Sequence, residues 1–383
     1  MKRLSFLLLG ILLIGSCTPS QPTSENQSPL QQPMDSLFAA FDTLASPGYA
    51  IAIEKKGKTV FKNGYGAANL DYNIPITTES TFSLASVSKQ FTAACIALLI
   101  LDDKLSLESD VSEYLPELKK YPDTLRLKHL IYNTSGIKDY NRIDRERGSS
   151  WVTFNYFEID ECIRTSLSEP ALQFTPGSQW DYSNMNFILL TKIVEAVSGL
   201  PFAEFAKTRL FEPLGMQHTF IHDDITTIVK NRVTPYNPRN ELYVREYGKQ
   251  GFHLGATGDF IQHHRNAPHY GGSGVMSTID DLLLWTANMS THAFGGSPFY
   301  DLMHKTLSFE HGRNNQAFGL YFSEYQGRKT VAWEGSDYGI STQILRFPEQ
   351  GVSIIVLSNL GSGQAPQQAN AIADVLIAEG ILE

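Results

Sequence analysis

The hydrophobic pattern of this chain changes period twice, and the two changes outline its organisation. Tyr49-Ala50-Ile51-Ala52-Ile53 is a compact apolar run, Glu54 to Lys58 is a polar turn, and Thr59-Val60-Phe61-Lys62 returns, so a β-hairpin is expected here. From Val87 the apolar positions recur at Phe91, Ala94/Cys95, Leu98 and Leu99, the three-to-four spacing of a helix from Ser86 to Asp102. Two more helices are expected over Phe187–Val197 and Pro201–Phe211, the second broken by Pro213-Leu214-Gly215-Met216. A shorter amphipathic helix is expected over Asp35–Leu44, ahead of Ser46-Pro47-Gly48. Near the end, Phe318–Tyr325, Thr330–Trp333, Ser341–Phe347 and Val352–Leu357 are short β-rich runs divided by Gln326-Gly327, Gly335 and Pro348-Glu349, the pattern of an antiparallel meander. Gln367–Glu379 then reads as a closing helix with Gly380 just past its end.

The order β, then α, then β predicts an α+β fold. The first hairpin and the last meander form one antiparallel sheet, flanked by the N- and C-terminal helices, with a helical subdomain inserted. A single domain over 35–383 is expected, its sheet region about 35–80 and 270–383 and its helical subdomain about 81–269. Val233–Tyr270 is the least regular stretch, and a loop of this length in a compact domain is usually functional or a lid. Its histidines (His253, His263, His264 and His269) lack a carboxylate-backed ligand pattern and read as polar loop residues, so no metal and no cofactor is expected.

Composition adds limits. The chain has 383 residues, 42% hydrophobic and 19% charged, which is ordinary for a globular protein. A net charge of −9 without a basic stripe argues against a nucleic-acid partner. Met1-Lys2-Arg3 followed by the apolar Leu4–Ile14 has the form of a secretory signal, too short to span a bilayer. It ends in Leu13-Ile14-Gly15-Ser16-Cys17, which resembles the bacterial lipobox whose cysteine is lipidated after cleavage; an ordinary signal with a stray cysteine is the alternative. The expectation is a signal peptide over 1–17, lipidation at Cys17, a disordered Pro/Ser/Gln/Thr/Asn-rich tether over 18–34, and a protein anchored in the bacterial cell envelope, facing the periplasm or the exterior. Cys95 and Cys162 read as thiols rather than as a disulfide, because Cys95 lies on the apolar helix.

Three short segments carry candidate chemistry. Ser86 and Lys89 lie three residues apart on one helix face, so a hydroxyl and an amine become neighbours at a helix N-terminus. A serine becomes a nucleophile when a neighbour takes its proton, and a lysine can do so if burial or a nearby cation lowers its pKa. Tyr182-Ser183-Asn184 stands before a helix, where both side chains can aim into one cavity; a phenolate beside a lysinium can act as a base or proton relay, and Asn184 can bind substrate or Lys89. Trp333-Glu334-Gly335-Ser336 lies on a late strand, where a glycine permits close approach and the amides of Ser86 and Ser336 can form an oxyanion hole. Taken singly, each segment also fits a plain structural role: a capped core helix, a helix-capping pair, and a strand with a glycine bulge.

Together and in this order, the three segments resemble the serine β-lactamase and penicillin-binding-protein superfamily, in its class C β-lactamase and esterase-like branch. Other phrases match as well. His129-Leu130-Ile131-Tyr132-Asn133-Thr134-Ser135-Gly136-Ile137 is similar to the branch's Leu-Leu-x-His-Thr-Ser-Gly segment, with Asn133 in place of histidine. Phe211-Glu212-Pro213-Leu214-Gly215-Met216, Gly272-Ser273-Gly274-Val275-Met276-Ser277-Thr278 and Asp280-Asp281-Leu282 match further motifs over residues 35–383. The resemblance implies a β-lactamase/transpeptidase-like fold and an acyl-enzyme hydrolase. In it, Ser86 is the nucleophile, Lys89 and Tyr182 share the general-base work in an order left open, and Asn184, Trp333 and Gly335 contact a small ester, amide or peptide substrate.

The third motif departs from the family's Lys-Thr-Gly or His-x-Gly. Trp333 brings no charge, which weakens the case for anionic β-lactams and peptide C-termini. Some esterases of the branch carry tryptophan there. Esterase-like activity is therefore ranked ahead of D-amino-acid peptidase or amidase and of β-lactamase action, with a non-catalytic penicillin-binding-like lipoprotein as the reading of another class.

Overall fold

The central strands are buried along their whole length because both faces of their sheet are covered. The computed structural model describes residues 28–148, 158–249, 251, 253–255, 257–263, 270–309, 311 and 314–383. Its strands β1 (Tyr49–Lys55), β2 (Lys58–Tyr65), β3 (Tyr321–Tyr325), β4 (Arg328–Asp337), β5 (Ile340–Phe347) and β6 (Val352–Ser358) form a six-stranded antiparallel sheet ordered β3-β4-β5-β6-β1-β2. The expected joining of first hairpin and last meander is thus observed, with β1 against β6 from Tyr49↔Ser358 to Lys55↔Val352. The main helices are α1 (Gln31–Leu37), α2 (Lys89–Leu101), α3 (Asn184–Ser198), α4 (Ile279–Thr291) and α5 (Ala365–Ala378).

Period-two alternation sorts the strand residues into two cores. Ala50 and Ala52 of β1, with Ile344, Ile355 and Leu357, join the core of α2, α3 and α4. Tyr49, Ile51 and Ile53, with Leu345, Phe347, Ile354 and Val356, face the terminal helices α1 and α5. α2 is buried along nearly its whole circumference, from Lys89 to Leu99, as a helix threaded through the middle of a core must be. Cys95 and Cys162 are both buried thiols within that core rather than a disulfide.

The N-terminal end differs from expectation. The ordered fold starts before residue 35: α1 begins at Gln31, inside the stretch expected to be tether, and ends at Leu37 rather than Leu44. Leu30, Met34 and Phe38 are buried, and Phe38 lies with its ring centre 5.2 Å from Tyr49 and 5.0 Å from Tyr65. A tight 3-10 turn at Ala39–Phe41 then brings Phe41 edge-on to Tyr49. These contacts outweigh the polar composition of the segment. Signal peptide, Cys17 and the tether up to residue 27 lie outside the described residues.

Between β2 and β3, a small sheet ties the segment before Ser86 to the segment after Gly272, with Phe82–Ser83 and Phe220–Ile221 on either side of Val275–Ser277. The irregular 233–270 stretch contains a strand pair, Tyr236–Pro238 with Phe260–Gln262, and a helix, Glu241–Gly248. It docks on the β4–β5 turn, where the His263 ring stacks on Tyr338 at 5.1 Å. His264 and His269 lie outside the described residues. Among the described residues no single helix is long and apolar enough to cross a membrane, and no group of three or more His, Cys, Asp or Glu is placed to hold a metal ion.

Because Phe38 is the largest of the side chains that dock the α1 segment, Phe38→Ala should lower the unfolding free energy by about 3–5 kcal/mol in urea titrations. An unchanged midpoint would show that residues before 45 do not belong to the cooperative unit.

Candidate active site

The turn that presents Ser86 is held in a strained shape. Ala85 has φ of 47°, in the left-handed region that costs a non-glycine residue about 1–2 kcal/mol. The chain passes through a 3-10 turn, Ala85–Ser88, so the α-helix begins at Lys89 rather than at Ser86. Neighbours pin this turn on two sides. Thr342 Oγ1 donates to Leu84 O at 2.9 Å, Leu84 N donates to Val275 O at 2.9 Å, and Val275 N donates to Ser88 Oγ at 3.1 Å.

Ser86, Lys89, Tyr182 and Asn184 converge. Lys89 is fully buried, and its Nζ donates to Ser86 Oγ at 3.2 Å, to Asn184 Oδ1 at 2.8 Å and to Gly272 O at 2.5 Å. The Tyr182 hydroxyl lies 2.8 Å from Ser86 Oγ, and its ring centre is 4.8 Å from Lys89 Nζ. Two of the three acceptors around the amine, Asn184 Oδ1 and Gly272 O, are fixed and can only accept. The third position faces Ser86 Oγ, the one partner with a proton to exchange.

Of the two roles open to Tyr182, base or proton relay, the electrostatics favour the relay. Burial pushes its phenol well above the ordinary value, and the negative charges of Asp139 and Glu334 add to this; the Ser86 hydrogen bond opposes it. The resting side chain is a phenol, a group that relays or donates a proton.

Residues outside the expected site hold Tyr182 in place. Ser183 is extended and α3 starts at Asn184, so the tyrosine sits on a short arm between two anchors. On one side, Asp139 Oδ2 accepts from Asn184 N at 2.5 Å and Oδ1 from Asn141 N at 2.9 Å. Burial raises the Asp139 carboxyl, and these backbone amides together with the charge of Lys89 draw it back down. On the other side, Arg142 grips Asp181 with two bonds of 2.9 and 3.0 Å. Asn133, at the position where the resembled family has histidine, takes φ of 55°. Its carbonyl accepts from Asp181 N at 2.9 Å and its side chain from Ser183 N at 3.3 Å and Asn186 Nδ2 at 3.0 Å. The Asn-Thr-Ser-Gly phrase is thus a cradle for the tyrosine arm. An Asp three residues past that phrase, at a helix N-cap, was the available signal for it.

The third segment is placed by packing. A methyl group at Gly335 would come within 2.4 Å of Leu84 O, 2.3 Å of Thr342 Oγ1 and 3.0 Å of Ser86 N, so β4 presses directly on the Ser86 turn. Ser336 follows on the same strand and is exposed. Trp333, expected to meet substrate, is 3% exposed, belongs to the main core and stacks on Tyr321 with ring centres 4.3 Å apart. It forms a wall behind the site, because its large apolar face is better buried than left beside a polar cluster.

A family model described as Beta-lactamase matches residues 34–379. The chain belongs to the beta-lactamase family. Within that family it is 27% identical over 331 residues to a D-aminopeptidase of Gluconobacter oxydans, covering 86% of this chain and 59% of that protein. It is 28% identical over 352 residues to penicillin-binding protein 4* of Bacillus subtilis, covering 87% of this chain and 73% of the relative. Among solved structures, the octameric penicillin-binding protein homologue from Pyrococcus abyssi superposes with a TM-score of 0.73 at 23% identity, over 91% of this chain and 77% of that one. The chain thus spans about three fifths of the D-aminopeptidase's length.

If β4 fixes the nucleophile, Gly335→Ala should displace Ser86 by a fraction of an ångström or more and lower ester-hydrolysis kcat/KM about 100-fold. A rate within twofold of the parent would mean that the contact does not set the geometry.

Proposed function

We propose that this beta-lactamase-family chain is a serine hydrolase that cleaves ester or amide bonds through an acyl-enzyme on Ser86. The convergence of the Ser86 hydroxyl, the buried Lys89 amine and the Tyr182 phenol within hydrogen-bond distance carries the reading. When Lys89 is neutral, its two N–H groups remain on Asn184 and Gly272 and its lone pair faces Ser86. Lys89 then takes the Ser86 proton as Oγ bonds to the substrate carbonyl carbon and the carbonyl becomes an oxyanion. The amides of Ser86 and Ser336 receive that oxyanion, each such donor being worth about 2.7–4 kcal/mol. Collapse expels the leaving group, which takes a proton passed through the Tyr182 phenol. Water then attacks the acyl-enzyme, returning its proton to the same pair and releasing the acid.

An ester is the substrate class this reading places first, since Trp333 stands where the family's cation would meet a substrate carboxylate. A D-aminoacyl amide or peptide is the second reading, supported by the similarity to a D-aminopeptidase. The N-terminal residue pattern supports delivery to the bacterial envelope with a lipid on Cys17, facing the periplasm or the exterior.

Ser86→Ala should abolish turnover of p-nitrophenyl acetate while leaving the circular-dichroism melt intact. Lys89→Ala or Tyr182→Phe should lower kcat/KM by roughly 10²–10⁴-fold, the usual reach of acid–base assistance. Unchanged rates in both variants would remove those residues from the mechanism. A parent protein inert toward an ester, a D-alanyl amide and nitrocefin would favour the non-catalytic binder.

A further inference from the structure

We infer that Glu334, on the open edge of β4 beside the nucleophile, selects substrates that carry a positive charge near the scissile carbonyl, namely aminoacyl esters or amides with a protonated α-amine. The inference rests on the acyl-enzyme reading above and adds to it the charge of the substrate.

The geometry begins with the strand edge. β3 pairs with β4 only from Tyr325↔Arg328 to Tyr321↔Ala332. Beyond Ala332, Trp333–Asp337 has β5 on one side and, among the described residues, no strand on the other. This unoccupied edge is also the stretch whose Gly335 backbone abuts Leu84 O and Ser86 N. A substrate that delivers its carbonyl to Ser86 Oγ therefore passes the edge, where backbone groups are open for pairing.

Glu334 is exposed on that edge and has no ion-pair or hydrogen-bond partner among the described residues. Its charge reaches the reacting groups, since it is one of the influences that keep the Tyr182 phenol protonated. Among the described residues, the cations nearby are committed elsewhere. Lys89 is wholly buried with its three bonds directed to Ser86, Asn184 and Gly272, leaving no donor for a substrate carboxylate. Arg142 is held by Asp181. Trp333 supplies no charge and is turned into the core. An arriving carboxylate would meet Glu334 without compensation, whereas an ammonium would find an anion with no other partner.

Charges about 6 Å apart in a partly solvated cleft shift binding by roughly 3- to 100-fold, so an effect near tenfold is expected. The test compares the methyl esters of D-alanine (cationic), N-acetyl-D-alanine (neutral) and succinic acid (half-ester, anionic) by pH-stat, about a unit and a half below the α-amine pKa of about 8. The parent should prefer them in that order. Glu334→Gln should weaken the cationic ester and favour the anionic one by about tenfold each, reducing the cationic-to-anionic ratio of kcat/KM about 100-fold, and Glu334→Lys should invert it. A ratio that stays the same in both variants, with the neutral ester still hydrolysed, would overturn this inference and leave the proposed function standing. No turnover of any of the three by the parent would overturn both.

Discussion

A lysine amine buried to zero exposure is the constraint around which this molecule is arranged. Removing such a group from water without partners is prohibitive, so its three positions must be filled by groups that stay where they are placed. They come from three parts of the chain: Ser86 one helical turn earlier, Asn184 at the start of α3, and the Gly272 carbonyl just before the small central strand. Satisfying one buried amine therefore fixes the relative placement of α2, α3 and the segment leading to Val275–Ser277. Of these three contacts, the one to Ser86 is the exchangeable one.

The remaining elements hold that arrangement still. α2 is surrounded by core, with Gln90 accepting from Trp285 Nε1 and Thr92 donating to Gly271 O, so Lys89 cannot rotate away. Gly271 admits no side chain, because a methyl group would come within 2.5 Å of Phe187 O in α3, and a methyl group on Gly272 would press on Asn184 at 3.1 Å. The tyrosine arm is gripped by Asp139 and Arg142, and β4 closes the opposite wall through Gly335. A polar site of this kind must be rigid, since a small displacement of a catalytic group is costly to rate.

Much of this was legible in the sequence where local pattern and tertiary role agree. The hairpin, the meander, their union in one sheet and the Ser86, Lys89, Tyr182 and Asn184 set follow from periodicity and motif order, and the structure brings those four side chains together. The misses have physical causes. Polar residues around Gln31 and Gln32 concealed a helix that is ordered by Leu30, Met34 and Phe38 docking on Tyr49 and Tyr65. Trp333 entered the expected site through its place in the resembled third motif, which does not tell what covers a side chain; Tyr321, from the neighbouring strand, covers it. The sequence left the roles of Lys89 and Tyr182 open, because the burial that raises the Tyr182 phenol is a tertiary property that the motif does not carry. Asp139 and Arg142 act through the backbone and charge of residues about 40 positions away, contacts that no local pattern encodes.

The account stands on Ser86 being the one hydroxyl activated by this cluster. Incubation of the folded protein with a fluorophosphonate, followed by intact-mass analysis and peptide mapping, tests that most directly. The expected result is a single adduct on the peptide carrying Ser86, lost in Ser86→Ala and strongly slowed in Lys89→Ala. An adduct on another residue, or none on the folded parent protein, would contradict it.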